Sequence, residues 1–274
     1  MPVSRSEIEG SRAAFRDLRE PGPCRRLGPV QGGRVQRVTT NLVILTGAGV
    51  SAESGLGTFR DTGGIWSKFD PMKLATPEGF AADPEAVHAF YNARRDNLLA
   101  ATPNPAHHAL AELERAWREE RRGDFLLVTQ NIDNLHEQAG SEALLHMHGE
   151  LLKSRCERCG HLFEHTDALS LERVCEGCGK AGGLRPHVVW FGEMPLGLDR
   201  IYEALARCDL FVAVGTSGTV YPAAGFVQEA LSAGAHTVEL SLEPGEVSAL
   251  FAERHHGPAS RVVPEWARRA GGRA

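Results

Sequence analysis

Leu42-Val43-Ile44-Leu45-Thr46-Gly47-Ala48-Gly49-Val50-Ser51-Ala52-Glu53-Ser54-Gly55 is the stretch on which the fold turns. The apolar run at 42–45 reads as a buried strand, and the glycines behind it as a tight loop able to approach a pyrophosphate. Helix-like residues after the glycines are expected to present free N–H groups to that anion. The spacing Gly-x-Gly-x-x-Ala from Gly47 to Ala52 meets a loose dinucleotide fingerprint, which is weak alone because short glycine patterns often mark only a turn. The residues behind the glycines are more informative: Ser51, Glu53 and Ser54, then Phe59-Arg60-Asp61.

From this stretch onward, short apolar runs at 42–45, 125–128, 188–190, 210–214 and 237–242 alternate with helical stretches. Asn104-Pro105 opens a helix whose apolar stripe is Ala106, Leu110, Leu113 and Trp117, and Asp199 opens another through Ile201 and Leu205. This alternation predicts an α/β fold, a Rossmann-like doubly wound parallel sheet. Ligands of such sheets bind at the carboxyl ends of the strands. There the chain places Gly47, then Gln130-Asn131-Ile132-Asp133, then Gly215-Thr216-Ser217, and finally Glu243. Several polar strand ends on one sheet edge suggest a nucleotide crevice.

The chain has 274 residues, 42% of them hydrophobic, enough for the core of one large domain with a smaller insertion. A net charge of -5 and a pI near 6.2 exclude the globally basic surface that drives nucleic-acid binding. No apolar run approaches the roughly 20 residues of a membrane-spanning helix. Residues 1–38 hold eight arginines, four acidic residues and a Pro/Gly-rich stretch at 21–33, and read as a flexible extension. An arginine-rich transit peptide is the alternative, opposed by Glu7, Glu9, Asp17 and Glu20. A cytoplasmic location is the default.

Cys156-x-x-Cys159 and Cys175-x-x-Cys178 are separated by fifteen residues, a spacing for one tetrahedral Zn²⁺ held by four thiolates. Four sulfur ligands leave no open position, so the ion is expected to be structural. Just upstream, His146 and His148 alternate around Met147, so an extended segment points both imidazoles to one face. A histidine facing a crevice can act as a general base; a satisfied core histidine is the plainer account.

Together these residues resemble the sirtuins, NAD-dependent protein lysine deacylases, over about residues 40–265. The resemblance is carried by Gly-Ala-Gly-Val-Ser-Ala-Glu-Ser-Gly at 47–55, Phe59-Arg60, Thr129-Gln130-Asn131-Ile132-Asp133, His148-Gly149-Glu150, the four cysteines, Phe191-Gly192-Glu193 and Gly215-Thr216-Ser217. Leu184-Arg185-Pro186-His187-Val188-Val189-Trp190-Phe191-Gly192-Glu193 is similar to the class III branch, which accepts acidic acyl groups.

The resemblance implies a catalytic domain at 39–270, with the sheet domain at about 39–56, 101–152 and 184–270, a helical insertion at about 57–100 and a zinc module at about 153–183. It implies that NAD is consumed as a co-substrate. Its pyrophosphate would lie near Gly47, Ala48, Gly49 and Ser51, its adenosine near Gly215, Thr216, Ser217 and Glu243, and its nicotinamide near Ile132 and Asp133. Glu53, Arg60, Ser241, Leu242 and Ala259 complete the implied cofactor set. His148 would be the general base, Asn131 and Gln130 would orient the ribose, and Phe59 would shield the reactive carbon. Acylated lysines of proteins are the implied substrates, contacted by Ala75, Tyr91, Arg94, Val189, Phe191, Gly192 and Glu193. The chain departs from the family at Leu56-Gly57-Thr58, where many relatives carry Ile-Pro-Asp, and at Ser241, where asparagine is usual and serine has shorter reach.

Asp83-Pro84 opens a helix whose stripe is Val87, Tyr91, Arg94 and Leu98. On spacing alone an internal ion pair accounts for Arg94, because a charge on an apolar face needs a partner. The resemblance instead makes Tyr91 and Arg94 the pair that binds a succinyl or malonyl carboxylate, with Ala75 the small residue that opens the pocket. A nicotinamide-dependent oxidoreductase, a mono-ADP-ribosyltransferase and a zinc-stabilised NAD-binding module without activity are the rival readings.

Overall fold

The structure is a computed structural model that describes residues 39–57 and 71–272, with only the backbone of 71 and 72. Phe59, Arg60 and the expected extension at 1–38 lie outside the described residues. Strand β1 (Leu42–Thr46) runs into two 3-10 turns, Ala48–Val50 and Ala52–Ser54. Four helices come next: α1 (Pro71–Leu74), α2 (Pro77–Ala82), α3 (Pro84–Ala100) and α4 (Pro105–Glu119). Then come β2 (Phe125–Thr129), α5 (Leu135–Ala139), β3 (Leu144–His146), β4 (Gly149–Cys156), β5 (Leu162–Glu164) and β6 (Leu184–Val188). The chain closes with α6 (Leu198–Leu205), β7 (Leu210–Val214), α7 (Phe226–Ser232), β8 (His236–Ser241), β9 (Glu253–His256) and α8 (Ala259–Ala270).

Six strands form one parallel sheet in the order β3-β2-β1-β7-β8-β9. The chain builds from β1 to one edge, returns, and builds from β7 to the other, so the winding reverses between β1 and β7. In a doubly wound sheet that reversal opens a crevice at the carboxyl ends of the two strands. Both faces are covered, which is why β1 reads as an unbroken apolar run. Leu42 and Ile44 pack with Leu110, Leu113 and Trp117 of α4 and Trp266 of α8. Val43 and Leu45 point the other way, into a core with Ile201 and Leu205 of α6 and Phe226 of α7.

The expected strand at 188–190 is placed differently. Residues Leu184–Val188 form β6, which pairs antiparallel with β4 in a separate three-stranded sheet, order β5-β4-β6. An apolar run does not encode its pairing partner, and Trp190 lies beyond the strand. Helix α6 is capped by Gly197, with Asp199 in its first turn. Among the described residues no helix is long and apolar enough to cross a membrane.

The start of α4 ties this scaffold to the glycine loop. Asn104 caps the helix, its side chain accepting from the Ala106 N–H at 2.9 Å, while Pro105 fills the first helical position. The Asn104 amide also donates to the Val50 carbonyl (2.8 Å) and to Ser54 Oγ (3.0 Å). Replacing Asn104 with alanine removes the cap and leaves the buried Val50 carbonyl without its donor. We predict a loss of about 1–3 kcal/mol in urea unfolding at unchanged m value; a loss below about 0.5 kcal/mol would separate the cap from the loop's stability.

Candidate active site

The glycines after β1 serve a close approach between two strand ends. The Gly47 N–H donates to the Val214 carbonyl and the Gly49 N–H to the Gly215 carbonyl, both at 2.9 Å. A Cβ on residue 49 would lie 2.8 Å from Gly215 Cα, and one on Gly215, whose φ is +59°, would lie 2.5 Å from the Val50 nitrogen. The expected cradle of free amides is therefore different in kind. The N–H groups of Gly47, Gly49, Val50 and Ser51 are all bonded within the protein, the last two closing 3-10 turns onto Gly47 and Ala48.

Ser51 is the hub of the polar groups gathered by this contact. The Asn104 N–H donates to His107 Nδ1 at 3.2 Å, so the proton of the neutral imidazole sits on Nε2 and points to Ser51 Oγ at 3.3 Å. Ser51 in turn donates to Asp133 Oδ2 (3.0 Å) and accepts from Asn131 Nδ2 (3.0 Å). All are nearly buried: Ser51 2%, His107 0%, Asp133 7% and Asn131 9% exposed. Burial pushes the His107 pKa down to about 4 and keeps the ring neutral. Burial also raises Asp133, against the Leu135 N–H and Ser51 hydroxyl that stabilise its anion.

His146, at the end of β3, and His148 just beyond it both face the loop after β2, and Met147 between them is buried in the core on the other side. His148 Nδ1 lies 2.9 Å from the Gln130 carbonyl, which can only accept, so Nδ1 carries the proton and Nε2 presents a lone pair. Among the described residues nothing is bonded to Nε2. Burial lowers the pKa of His148, partly offset by that carbonyl. His146 differs. Burial alone would lower its pKa, but Nε2 meets Glu137 at 2.7 Å and Nδ1 meets the Asn131 carbonyl at 3.2 Å, and together they raise it.

The other expected cofactor residues lie along the same sheet edge. Gln130 Nε2 donates to Thr216 Oγ1 at 3.1 Å, joining the ends of β2 and β7. Ser217 pairs with Thr219 through their hydroxyls at 2.7 Å. The Ser241 hydroxyl donates to the Glu243 carbonyl (2.7 Å), so its proton is committed to the loop, while the side chains of Leu242 and Glu243 are exposed. Buried Glu239 holds that loop by accepting from the Gly245 N–H (3.2 Å) and Ser248 Oγ. The Glu53 carboxylate accepts from the Ser260 N–H (2.8 Å) and hydroxyl (2.7 Å), at the first turn of α8 beside Ala259. It therefore anchors that helix start to the glycine loop.

Around the residues expected to contact substrate, one apolar cluster joins Ala75, Tyr91, Leu98, Leu151, Val188 and Trp190, with Ile132 and Leu56 packed against it. The Phe191 N–H donates to the Ala75 carbonyl (2.9 Å) and the Val189 N–H to the His148 carbonyl (2.8 Å). Arg94 is half-buried with its guanidinium 5.6 Å from the Phe90 ring centre. Burial lowers its pKa, and Tyr91 and Asp133 act in the opposite sense. Helix α3 buries Arg95 more deeply than Arg94, at 1% exposed. The Glu193 carboxylate is engaged by Arg185 (2.7 and 3.0 Å), Arg155 (2.9 Å) and the Trp190 N–H (2.8 Å). Its side chain thus builds the loop.

The four cysteines meet at the end of the three-stranded sheet, all four Sγ atoms within 4.8 Å of one another. Cys156 and Cys178 are 3.9 Å apart and Cys159 and Cys175 3.7 Å, too far for disulfides. A tetrahedron with Zn–S bonds of about 2.3 Å has S···S edges of about 3.8 Å, so the donor set fits one zinc ion. The module is pinned to α3: Asn92 exchanges two hydrogen bonds with the backbone of Leu169 (2.8 and 2.9 Å), and His88 Nε2 meets the Leu184 carbonyl at 2.9 Å.

Sequence alone marks Asn104 only as a helix cap and gives no site role to His107, Arg185 or Trp190. A histidine three residues after a capping Asn, beside an apolar stripe, is the signal available for His107. For Arg185 the signal is a charge within the run at 184–190.

The model of the Sir2 family matches residues 47–222. A Caulobacter vibrioides protein named NAD-dependent protein deacylase is 55% identical over 226 residues, covering 82% of this chain and 94% of that protein. An Escherichia coli K12 protein of the same name is 57% identical over 227 residues, covering 82% and 80% respectively. A solved Sir2 homologue in complex with NAD is 40% identical and superposes with a TM-score of 0.75, covering 83% of this chain and 88% of that one. With the family's motifs converging at the reversal of a doubly wound sheet and four thiols set for zinc, the chain belongs to the Sir2 family.

Proposed function

We propose that the chain is an NAD-dependent protein-lysine deacylase acting on acidic acyl groups, succinyl or malonyl, with acetyl a poorer substrate. One observation carries the chemistry. His148 is held by the Gln130 carbonyl in the tautomer that aims a free lone pair outward, next to the network of Asn131, Ser51 and Asp133. In this reading the acyl-lysine carbonyl oxygen displaces nicotinamide from the ribose of NAD. A neutral His148 then takes the proton of a ribose hydroxyl, whose oxygen attacks the acyl carbon; the lysine nitrogen leaves as the free amine and one water adds at the acyl carbon, its oxygen replacing the one kept on the ribose, to give 2'-O-acyl-ADP-ribose. A cationic ribosyl centre needs positioning and exclusion of water more than it needs a strong acid. Asn131 supplies positioning through its links to Gly47 and Ser51. The acyl preference is supported by Tyr91, which packs with Ala75 and Trp190, and by Arg94 three residues on along the same helix. The cytoplasm, where NAD and acylated proteins meet, is the compartment this reading implies.

His148→Tyr is expected to abolish deacylation while one zinc remains bound per chain; full turnover would remove His148 from the mechanism. Because burial lowers the His148 pKa, the base is neutral at pH 7. The rate constant kcat/KM should therefore fall on acidification with an apparent pKa below 6.5 and stay level from there to neutrality. An apparent pKa above 7 for that loss would contradict the assignment.

Arg94→Met should lower kcat/KM on a succinyl-lysine peptide about tenfold to hundredfold relative to the acetyl peptide, the range for one charged hydrogen bond. Unchanged desuccinylation in a folded variant would overturn the carboxylate reading. Stripping zinc, followed by the metal released and by proteolysis at 153–183, should open the module to cleavage with one equivalent freed. An unchanged digestion pattern after release would contradict a structural ion.

A further inference from the structure

Trp190 and Tyr91 are 2% and 3% exposed, and the Trp190 indole N–H donates to the Tyr91 hydroxyl oxygen at 3.0 Å. An indole N–H cannot accept, so the direction of this bond is not open to exchange. The Tyr91 oxygen is the acceptor, and its own proton must point away from Trp190. Among the described residues that proton has no acceptor. Burial raises the phenol pKa, against the pull of Arg94 and Trp190, so the proton stays on. Arg94 follows Tyr91 by three residues on α3, on the same side of the helix.

The indole is itself immobilised. The Arg185 guanidinium lies 3.2 Å from its ring centre, and the Phe80 ring packs at 5.2 Å. Arg185, 1% exposed, is fixed by both oxygens of Glu193 and by the Val188 carbonyl at 2.9 Å. Glu193 also accepts the backbone N–H of Trp190 at 2.8 Å. These contacts hold the ring with its N–H toward Tyr91.

We infer that Trp190, clamped by Arg185 and Glu193, is a positioning residue for acyl selectivity: it fills the acceptor side of Tyr91, so that the phenolic O–H is offered as a donor beside Arg94. This rests on the acidic-acyl reading and deepens it. An acyl chain ending in a carboxylate supplies an acceptor for the hydroxyl, whereas an acetyl group ends in a methyl that supplies none. Without the indole donor the phenol could rotate and serve either role, and part of the selectivity would be lost.

The test is a double-mutant cycle on the full chain with succinyl- and acetyl-lysine peptides of one sequence, at saturating NAD. Trp190→Phe keeps an aromatic ring near Arg185 and removes the donor together with part of the buried ring. It is expected to lower the succinyl-over-acetyl ratio of kcat/KM about fivefold to tenfold, chiefly through KM for the succinyl peptide, as loss of one neutral hydrogen bond would. In a Tyr91→Phe background the same change should move the ratio less than about twofold, because the hydroxyl it acts through is gone. Equal effects in both backgrounds, or no effect of Trp190→Phe beside a clear effect of Tyr91→Phe, would overturn the inference and leave the acidic-acyl reading standing. A wild-type enzyme with no preference for succinyl would overturn both. Should Trp190→Phe not fold, benzothienylalanine at position 190, which replaces the N–H by sulfur in the same outline, gives the same comparison.

Discussion

The contact of Gly47 and Gly49 with Gly215 is the constraint on which the rest of the site depends. It brings the ends of β1 and β7 together backbone to backbone at the point where the sheet reverses its winding. With those ends in register, Gln130 after β2 reaches Thr216 after β7, and Ser51 reaches Asn131 and Asp133. Any side chain at these glycines would push backbone against backbone, where no rotamer offers relief. The glycines of the fingerprint thus serve the protein's own packing as much as any ligand.

The polar groups above that contact run in one direction, from the Asn104 N–H through His107 and Ser51 to Asp133. Every member has one assigned role, because the carboxylate can only accept and the backbone N–H can only donate. Such a buried, satisfied network is rigid and specific. The neutral state of His107 protects it across the physiological range: a protonated ring would lose the Asn104 bond and place a second donor at the helix start. His148 is oriented by the same device, a backbone carbonyl that leaves one nitrogen free.

How much of this was legible depended on whether a residue's partner is encoded near it. Strands β1, β2, β7 and β8 announce themselves as apolar runs because both sheet faces are covered. Strand β9, Glu253-Arg254-His255-His256, carries no such run because it is a half-exposed edge, and it pairs by backbone alone. The cysteine spacing was readable since metal geometry fixes it locally, and Tyr91 and Arg94 were readable as neighbours on a helix. Arg185 and Trp190 were not, because their meaning lies in Glu193 and in a tyrosine 99 residues away. Glu193 looked like a substrate contact for the same reason: its two arginines are visible only once β4 and β6 are paired.

Helix α3 connects parts that stand far apart in the sequence. One side of it holds the zinc module through Asn92 and His88, and another presents Tyr91 and Arg94 beside the loop of Ile132 and Asp133. The four-cysteine module and the residues proposed to bind the acyl group therefore share a support. Whether NAD is consumed to carry an acyl group off lysine is decided by product stoichiometry from one succinyl-lysine peptide, read by mass spectrometry. Nicotinamide, unmodified lysine peptide and succinyl-ADP-ribose are expected in equal amounts; reduced cofactor, or a peptide that keeps its succinyl group and gains ADP-ribose, would overturn the assignment.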